Sequence, residues 1–426
     1  MVQVGGVLEL DIGAPAAGGS CVARAEDGRV VFVRHALPGE RVRAVVTEGT
    51  ADSRYLRADA VEVLDASADR VRPPCPYAGP GKCGGCDWQH ASRSAQLGIK
   101  AELVRAQLRR LAGLDPAVQV EELPGAPDGL GWRTRVSFAV RPDGVVGLRR
   151  SRSHEVEPVD RCRIAHESVT AVGAERRRWP GATAVEVIAA AGTGDRAVVV
   201  TPADPTAELT APPLDAPSAL LRDDGRGGAT SVRGRPGVRE VAAGRSWRVS
   251  GSGFWQVHPA AADALVAAVL AGLGPRPGET ALDLYAGVGL FAGALAPHLD
   301  PGGSVIAVEA DRVAAADAAY NLRDLPTVQV QPATVRSALR RLGGTSVDLI
   351  VLDPPRAGAG PALCRQLARL GPRAVAYVSC DPATLARDLG AFAAAGYHLA
   401  QLRAFDLFPM TAHVECVAVL NPGAPS

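Results

Sequence analysis

Cys380 closes the apolar run "RAVAYVSC", and Asp381-Pro382 follows at once, stopping the strand before a helical pattern begins at Thr384. Free cysteine is among the most buried residue types, and one kept for packing belongs in mid-strand. One at a strand tip is placed for substrate. "LDPPR" (Leu352–Arg356) ends the strand before it, so Asp353 lies on the same edge of the sheet, in a loop that two prolines make rigid. Near the end of the chain, "FPMTAHVE" brings His413 and Glu415 back toward that edge.

A thiolate beside a carboxylate suits methylation at a pyrimidine C5. That carbon is too weak a nucleophile to take a methyl group directly. Thiolate addition at C6 creates an enolate at C5, and C5 then attacks the methyl. A base removes the C5 proton, and sulfur, which both adds and leaves readily, is eliminated. Amino-methyltransferases place an aromatic ring after a related Asp/Asn-Pro-Pro turn. Arg356 stands there instead, which argues against an exocyclic amine as acceptor.

The methyl donor is legible in "ALDLYAGVGLFAGALA" (Ala281–Ala296), a strand, a glycine turn and a helix. Gly287 and Gly289 allow the backbone close to a ligand. The next strand, "SVIAVEAD", ends on Glu309, where a carboxylate can take ribose hydroxyls. The third glycine of a dinucleotide fingerprint is missing. A nucleoside cofactor without a pyrophosphate fits better, so the pattern points to S-adenosylmethionine over NAD.

A second group is Cys75, Cys83, Cys86 and Cys162, with seven, two and 75 residues between successive members. A cysteine pair two residues apart is a metal half-site, and the spacing suits Zn²⁺ and an iron–sulfur cluster equally. Four thiolates leave no open position on the metal, so the role reads as structural. The glycine- and proline-rich "CPYAGPGKCGGC" is loop, not core.

The elements that must carry these residues divide the chain of 426 in three. Residues 1–65 alternate apolar and polar in short runs and read as a small β-barrel. Residues 66–250 hold the cysteine loop, a helix from about Ser94 to Leu111, and a strand-rich stretch from Trp132 to about Val249 with a loop around Pro202–Arg235. From 251 to 426, apolar strands alternate with Ala/Leu-rich helices, the mark of a doubly wound parallel sheet. "YHLAQLRAFDLFP" and "HVECVAVLN" follow each other without a helix, an antiparallel pair closing that sheet. The fold class is α/β.

Hydrophobic residues make up 47% of the chain, enough for sizeable cores, yet no apolar run reaches the ~20 residues of a membrane span. No leader of basic then apolar residues opens the chain, and eight cysteines without an export signal do not suggest disulfides. A cytoplasmic monomer with no membrane partner is the expectation. Net charge is only +1, but "RTRVSFAVRPDGVVGLRRSR" sets six arginines against one acid, either a phosphate-contacting surface or a solvated hairpin.

Taken together, the motifs resemble the RNA uracil-5-methyltransferase family, specifically its 23S rRNA-type members, over nearly the whole chain. "GRVVFVRHALPGERV" resembles a TRAM domain, an OB-like RNA-binding module, over residues 1–65. The resemblance implies a class I S-adenosylmethionine-dependent methyltransferase over 251–426. It implies a 4Fe–4S cluster on Cys75, Cys83, Cys86 and Cys162 in the central domain. "FWQVHP" matches the motif whose glutamine, here Gln256, binds the cofactor, with Tyr285, Glu309 and Asp353 as further contacts. "SCDPATLARD" matches the nucleophile motif at Cys380, and "FPMTAHVE" matches the motif whose glutamate, Glu415, is the general base. Three positions depart from the family: His258 and Asp381 where relatives often carry Asn, and Ala286 where a cysteine is common. None is the nucleophile or the base. The RNA expected is 23S rRNA. The alternatives are the same reaction on tRNA, or a non-catalytic protein that binds and folds rRNA.

Overall fold

The computed structural model describes residues 3–50, 52–225, 227–251, 253–342 and 346–423. The first sheet holds six strands: β1 (Val7–Asp11), β2 (Pro15–Ala16), β3 (Ser20–Arg24), β4 (Val30–Arg34), β5 (Arg41–Glu48) and β6 (Tyr55–Asp65). They run in the order β1-β5-β6-β4-β3-β2. Alternate residues point inward; Val31, Val33, Val42, Ala44, Leu56 and Ala58 are all buried in one core. That inward alternation is the period-2 pattern of the sequence.

Helix α1 (Arg93–Ala112) follows, opened by the Ser92 hydroxyl accepting from the Ala95 N–H and closed by Gly113 in the left-handed conformation. Then comes the short strand β7 (Val120–Glu122). A seven-stranded sheet is built from β8 (Arg135–Val140), β9 (Val146–Arg149), β10 (Val156–Pro158), β11 (Ala182–Ala189), β12 (Arg196–Pro202), β13 (Ala219–Asp223) and β14 (Ala229–Arg233). The last two strands fall in the stretch around Pro202–Arg235 that reads as loop. β13 is recruited by parallel pairing to β12 after a long excursion, and β14 folds back on it. A short helix, α2 (Glu167–Thr170), lies between β10 and β11, and a hairpin of β15 (Gly237–Ala242) and β16 (Arg245–Ser250) leads onward.

The remaining elements alternate: α3 (Ala261–Leu273), β17 (Thr280–Leu284), α4 (Leu290–Leu299), β18 (Ser304–Glu309), α5 (Arg312–Asn321), β19 (Val328–Pro332), α6 (Val335–Leu339), β20 (Leu349–Leu352), α7 (Pro361–Ala368), β21 (Ala374–Ser379), α8 (Pro382–Ala393), β22 (Tyr397–Asp406) and β23 (Glu415–Pro422). They make an eight-stranded sheet in the order β19-β18-β17-β20-β21-β23-β22-β7. The five strands from β17 to β21 pair in parallel, and β22 and β23 form the antiparallel pair. β7 adds to the outer edge of β22, so a segment upstream of the seven-stranded sheet completes the mixed one.

Side chains alternate between two cores. Ala281, Leu349 and Val351 face α3 and α4, whereas Leu282, Ile350 and Leu352 face α7 and α8. Fully burying one such leucine contributes roughly 1.5–3 kcal/mol. α1 joins the second core through Val104 and Leu108. Among the described residues, no helix is long and apolar enough to cross a membrane.

Candidate active site

Cys380 lies one residue past β21, half-buried, immediately before helix α8. The Asp381 carboxylate caps that helix, accepting from the N–H groups of Ala383 and Thr384 at 3.0 and 2.8 Å, and Pro382 occupies its first turn. The helix therefore starts two residues before Thr384. The register of β21 on β23 ends with Ser379 opposite Cys416. One residue beyond that pair lie Cys380 and, on the other strand, Glu415, the first residue of β23 and a buried one, whose charge acts on the thiol.

Asp353 follows β20 directly, and its N–H donates to the Leu284 carbonyl at 3.3 Å. The three ionisable groups share one electrostatic neighbourhood. Burial, reinforced by Glu415 and Asp353 and opposed by Arg356, pushes the Cys380 thiol up to about 11. Burial, then the Asp353 charge, holds the Glu415 carboxyl well above the usual carboxylate range. Burial raises Asp353 to about 7. Two carboxyls that both resist ionisation favour holding a proton between them, and one of them is a strong proton acceptor once charged.

The Arg356 guanidinium acts on both Cys380 and Glu415, favouring their charged forms. Its carbonyl accepts from the Thr384 hydroxyl at 3.1 Å, and Arg387 donates to the next carbonyl, Ala357, at 2.9 Å. The first turns of α8 thus hold the Asp353–Ala357 loop. Arg356 also reaches His413 Nε2 at 3.2 Å. Burial, then Arg356, lowers that imidazole to about 4, so it is neutral at ordinary pH.

The glycine turn lies at the same carboxyl edge. The Gly287 N–H donates to the Glu309 carboxylate at 2.8 Å, and the Asp311 N–H donates to its other oxygen at 2.7 Å. Gly287 has φ +55° and Gly289 φ +94°, and a Cβ on Gly289 would fall 2.6 Å from Leu322. Tyr285 also has positive φ, 64°, and lines a cavity of about 490 Å³ with Val308, Ala333 and Leu363 as well as Thr334, Arg336 and Gln366. A largely apolar slot with a few polar groups, at the strand ends next to the residue after Glu309, fits the adenosine part of a nucleoside cofactor. Gln256 comes from elsewhere, the segment between β16 and α3. There the Val257 carbonyl accepts from both the Thr134 N–H (2.8 Å) and its hydroxyl (2.9 Å), and His258 is buried with its ring stacked on Trp132.

One residue of this edge escaped the sequence reading. Asp283 is fully buried in β17; one carboxylate oxygen accepts from the Ala292 N–H at 2.8 Å and the other has no protein partner. Burial, with Asp353 and Glu309 adding, raises it to about 7. The signal was a lone acid inside the apolar run "ALDLY".

Cys75, Cys83, Cys86 and Cys162 line a separate cavity of about 570 Å³, with Arg133 and Arg163 on its walls. Burial raises Cys83 to about 11 and Cys86 well above the usual thiol range, and the other sulfurs of the set add to both shifts. Among the described residues, no three Cys, His, Asp or Glu side chains converge tightly enough for a single metal ion. Several arginines of the hairpin beside it are ion-paired within the chain. Arg135 pairs with Glu186 at 3.0 Å, Arg150 with Glu155 and Glu157, and Arg152 with Glu48 of β5.

A family model described as tRNA (Uracil-5-)-methyltransferase matches residues 246–422, and a TRAM domain model matches residues 1–61. The chain is 55% identical to an uncharacterized RNA methyltransferase of Streptomyces coelicolor, covering 99% of this chain and 94% of the relative. It is 35% identical to the 23S rRNA (uracil(1939)-C(5))-methyltransferase of Halomonas elongata, covering 98% and 90%. Among solved structures, Pyrococcus abyssi tRNA (uracil-54, C5)-methyltransferase in complex with S-adenosyl-L-homocysteine superimposes with a TM-score of 0.70 at 23% identity, covering 96% of this chain and 99% of that one. At that identity the likeness is one of fold.

Proposed function

This chain belongs to the RNA uracil-5-methyltransferase family, with a TRAM domain at its N-terminus, and from that premise we propose that it methylates uracil C5 in 23S rRNA with Cys380 as nucleophile and Glu415 as base. The reaction of the family is S-adenosylmethionine-dependent methylation of uracil C5 in RNA. What supports the site assignment is that Cys380 and a buried Glu415 lie one residue beyond the Ser379–Cys416 pair and act on each other electrostatically, with Asp353 and Arg356 acting on both.

The Cys380 thiolate adds to C6, forming the C–S bond and moving the C5=C6 electrons toward O4. The cofactor supplies an electrophilic methyl group. C5 forms its new bond to that carbon as the carbon's bond to the sulfonium sulfur breaks, and that electron pair stays on the thioether that departs. Glu415 then accepts the C5 proton, the electrons reform C5=C6, and the Cys380 sulfur leaves as thiolate. A base with a raised pKa suits this step, because the C5 proton is not strongly acidic. Arg356 favours the ionised forms of both groups. Gln256, Tyr285, Gly287, Glu309 and Asp353 are assigned to the cofactor, and the orphaned oxygen of Asp283 belongs with them as an acceptor.

We read Cys75, Cys83, Cys86 and Cys162 as ligands of a 4Fe–4S cluster within residues 66–250. Four thiols around one cavity fit a cluster, whose ligands stand farther apart than those of a single ion. When bound it would supply cross-linking of the loop to the seven-stranded sheet.

The full-length relative from Halomonas elongata favours rRNA as substrate. The name of the matching family model favours tRNA as the second reading. Mass spectrometry of rRNA and tRNA from a deletion strain decides between them. Loss of a 5-methyluridine from 23S rRNA is expected; loss from tRNA alone would transfer the activity to tRNA, and loss from neither would remove the assignment.

A further inference from the structure

Glu415 stands at the exit of an irregular loop, 407–414, and what fixes that loop lies outside the methyltransferase sheet. The Met410 carbonyl accepts from two N–H groups, those of Asp87 (2.9 Å) and Trp88 (3.0 Å). The Met410 N–H donates to the Gln96 side chain at 3.0 Å. The Ala412 N–H donates to the Asp87 carboxylate at 2.9 Å. Lys100, buried and paired with Asp406, donates to the Phe408 carbonyl at 3.0 Å. Backbone groups at 408, 410 and 412 are thus satisfied from one segment, residues 87–100, more than 300 positions upstream. Met410 holds φ +67°, a conformation that a side-chain-bearing residue adopts only when its surroundings impose it.

Asp87 is the hub of this arrangement. It follows Cys86 directly. Its side chain is packed against Gly19, in the turn between β2 and β3, where a Cβ would lie 2.4 Å from the Asp87 Cβ, and stands 3.7 Å from Arg34. Cys86 and Cys162 pack with Met410 and Phe408 around the buried Trp132. The cysteine loop therefore touches the loop that presents Glu415 through a backbone pair, a carboxylate and an apolar contact.

We propose that Asp87 is a positioning residue for proton removal: the cysteine loop acts as a strut that sets the 408–412 backbone and, through it, the Glu415 carboxyl. The proposal rests on the reading of Glu415 as base. It makes a kinetic distinction. Attack by Cys380 and methyl transfer precede proton removal, so a loosened strut slows the end of the reaction and spares its beginning.

The test uses the full chain with rRNA and tRNA transcripts, read on denaturing gels for covalent protein–RNA adduct. Transcripts carrying 5-fluorouridine trap the adduct without needing the base, because fluorine cannot leave as a cation. Asp87→Ala is expected to form the fluorinated adduct at the wild-type rate. On ordinary RNA it is expected to accumulate a methylated adduct that resolves roughly 10- to 100-fold more slowly, the scale of a misplacement near 1 Å. Asp87→Asn keeps an acceptor oxygen for the Ala412 N–H and is expected to resolve within about threefold of wild type. Resolution by Asp87→Ala at the wild-type rate would overturn the proposal. So would loss of its fluorinated adduct in proportion to its turnover, which would make Asp87 a general structural residue. Failure of wild type itself to trap would overturn the reading of Cys380, and this proposal with it.

Discussion

Two kinds of cysteine site adjoin the 407–414 loop: Cys86 and Cys162 pack with its Met410 and Phe408, and Glu415 at its exit acts on Cys380. Burial pushes both Cys380 and Cys83 up to about 11. The neighbours differ. Around Cys380 stand two carboxyls and an arginine. Around Cys83 the Gly85 N–H opposes the shift, and the further contributions come from Cys162, Cys75 and the Glu157 carboxylate, while Arg133 acts on Cys162. A thiol among charges of both signs can be ionised when a substrate rearranges that field. Thiols that chiefly face one another are ionised by a cation or cluster among them. The pKa value is the same and does not tell the two apart; the company does.

The comparison breaks first if Cys380 is dispensable. Cys380→Ala is expected to bind RNA and cofactor, form no adduct, and reduce methyl transfer to background. Glu415→Gln keeps size and polarity but cannot take the C5 proton, so it is expected to stall as a methylated covalent complex. A denaturing gel with labelled RNA should therefore show a shifted band for Glu415→Gln and none for Cys380→Ala. Methylation by Cys380→Ala at the wild-type rate would return the thiol to a packing role.

The other half of the comparison is tested on Cys83→Ser and Cys162→Ser. Anaerobically purified wild type is expected to be brown and to hold about four irons per chain. Either substitution should remove the colour and lower stability by an amount on the order of several kcal/mol, read from thermal unfolding. Cys380→Ala should leave iron and unfolding temperature unchanged. Stoichiometric zinc in place of iron would keep the thiols as ligands but sink the cluster.

How much of this was readable in the chain follows the range of the interactions. The edge of the parallel sheet is written locally: an apolar strand, a glycine or proline turn, then a capped helix. Cys380, Asp353 and Glu309 could be placed because each ends such a strand. β13 and β14 were missed because their stretch is rich in Gly, Pro and Asp, and the parallel partner of β13 is reached only across residues 203–218. β7 was missed for a similar reason, since three residues in a loop become a strand only where β22 offers an open edge. The contacts of Asp87, Gln96 and Lys100 with residues 406–412 leave no periodic trace at all. Asp283 is the opposite case: a lone acid within the apolar run "ALDLY" is a local signal, and its partner, the Ala292 N–H, lies only nine residues on.

A smaller effect belongs to the cofactor side. Gln256→Ala, Glu309→Ala and Asp353→Ala each remove one polar partner assigned to the cofactor. Loss of one charge-assisted hydrogen bond costs roughly 1.5–3 kcal/mol, about one to two decades in affinity. Calorimetry with S-adenosylmethionine checks this. Glu309 carries a second duty, holding the Gly287 and Asp311 N–H groups, so its loss should be the largest of the three. Unchanged affinity in all three would mean that the carboxyl edge has been assigned to the wrong ligand.

The smallest expected effect tests what the charged company of Cys380 contributes. Only the thiolate attacks, and with the thiol at about 11, roughly 10⁻⁴ of it is ionised near neutral pH in the free enzyme. Below that value the ionised fraction grows tenfold for each unit by which the pH rises. Adduct formation with 5-fluorouridine RNA should therefore rise with pH across the neutral and mildly alkaline range, with a slope near +1 in the logarithm of the rate. Arg356 lowers the thiol pKa, so Arg356→Ala moves it up and reduces the thiolate fraction at every pH in that range. Arg356 is exposed, and solvent screens its charge, so the expected loss is modest, about three- to tenfold in rate with the slope unchanged. Arg356→Lys keeps the charge and should recover most of it. If Arg356→Ala instead flattened the pH profile, ionisation of Cys380 would not limit the attack. If its rate were unchanged, the arginine would serve only to hold His413 and its own loop, and the distinction between the two cysteine sites would rest on the carboxyls alone.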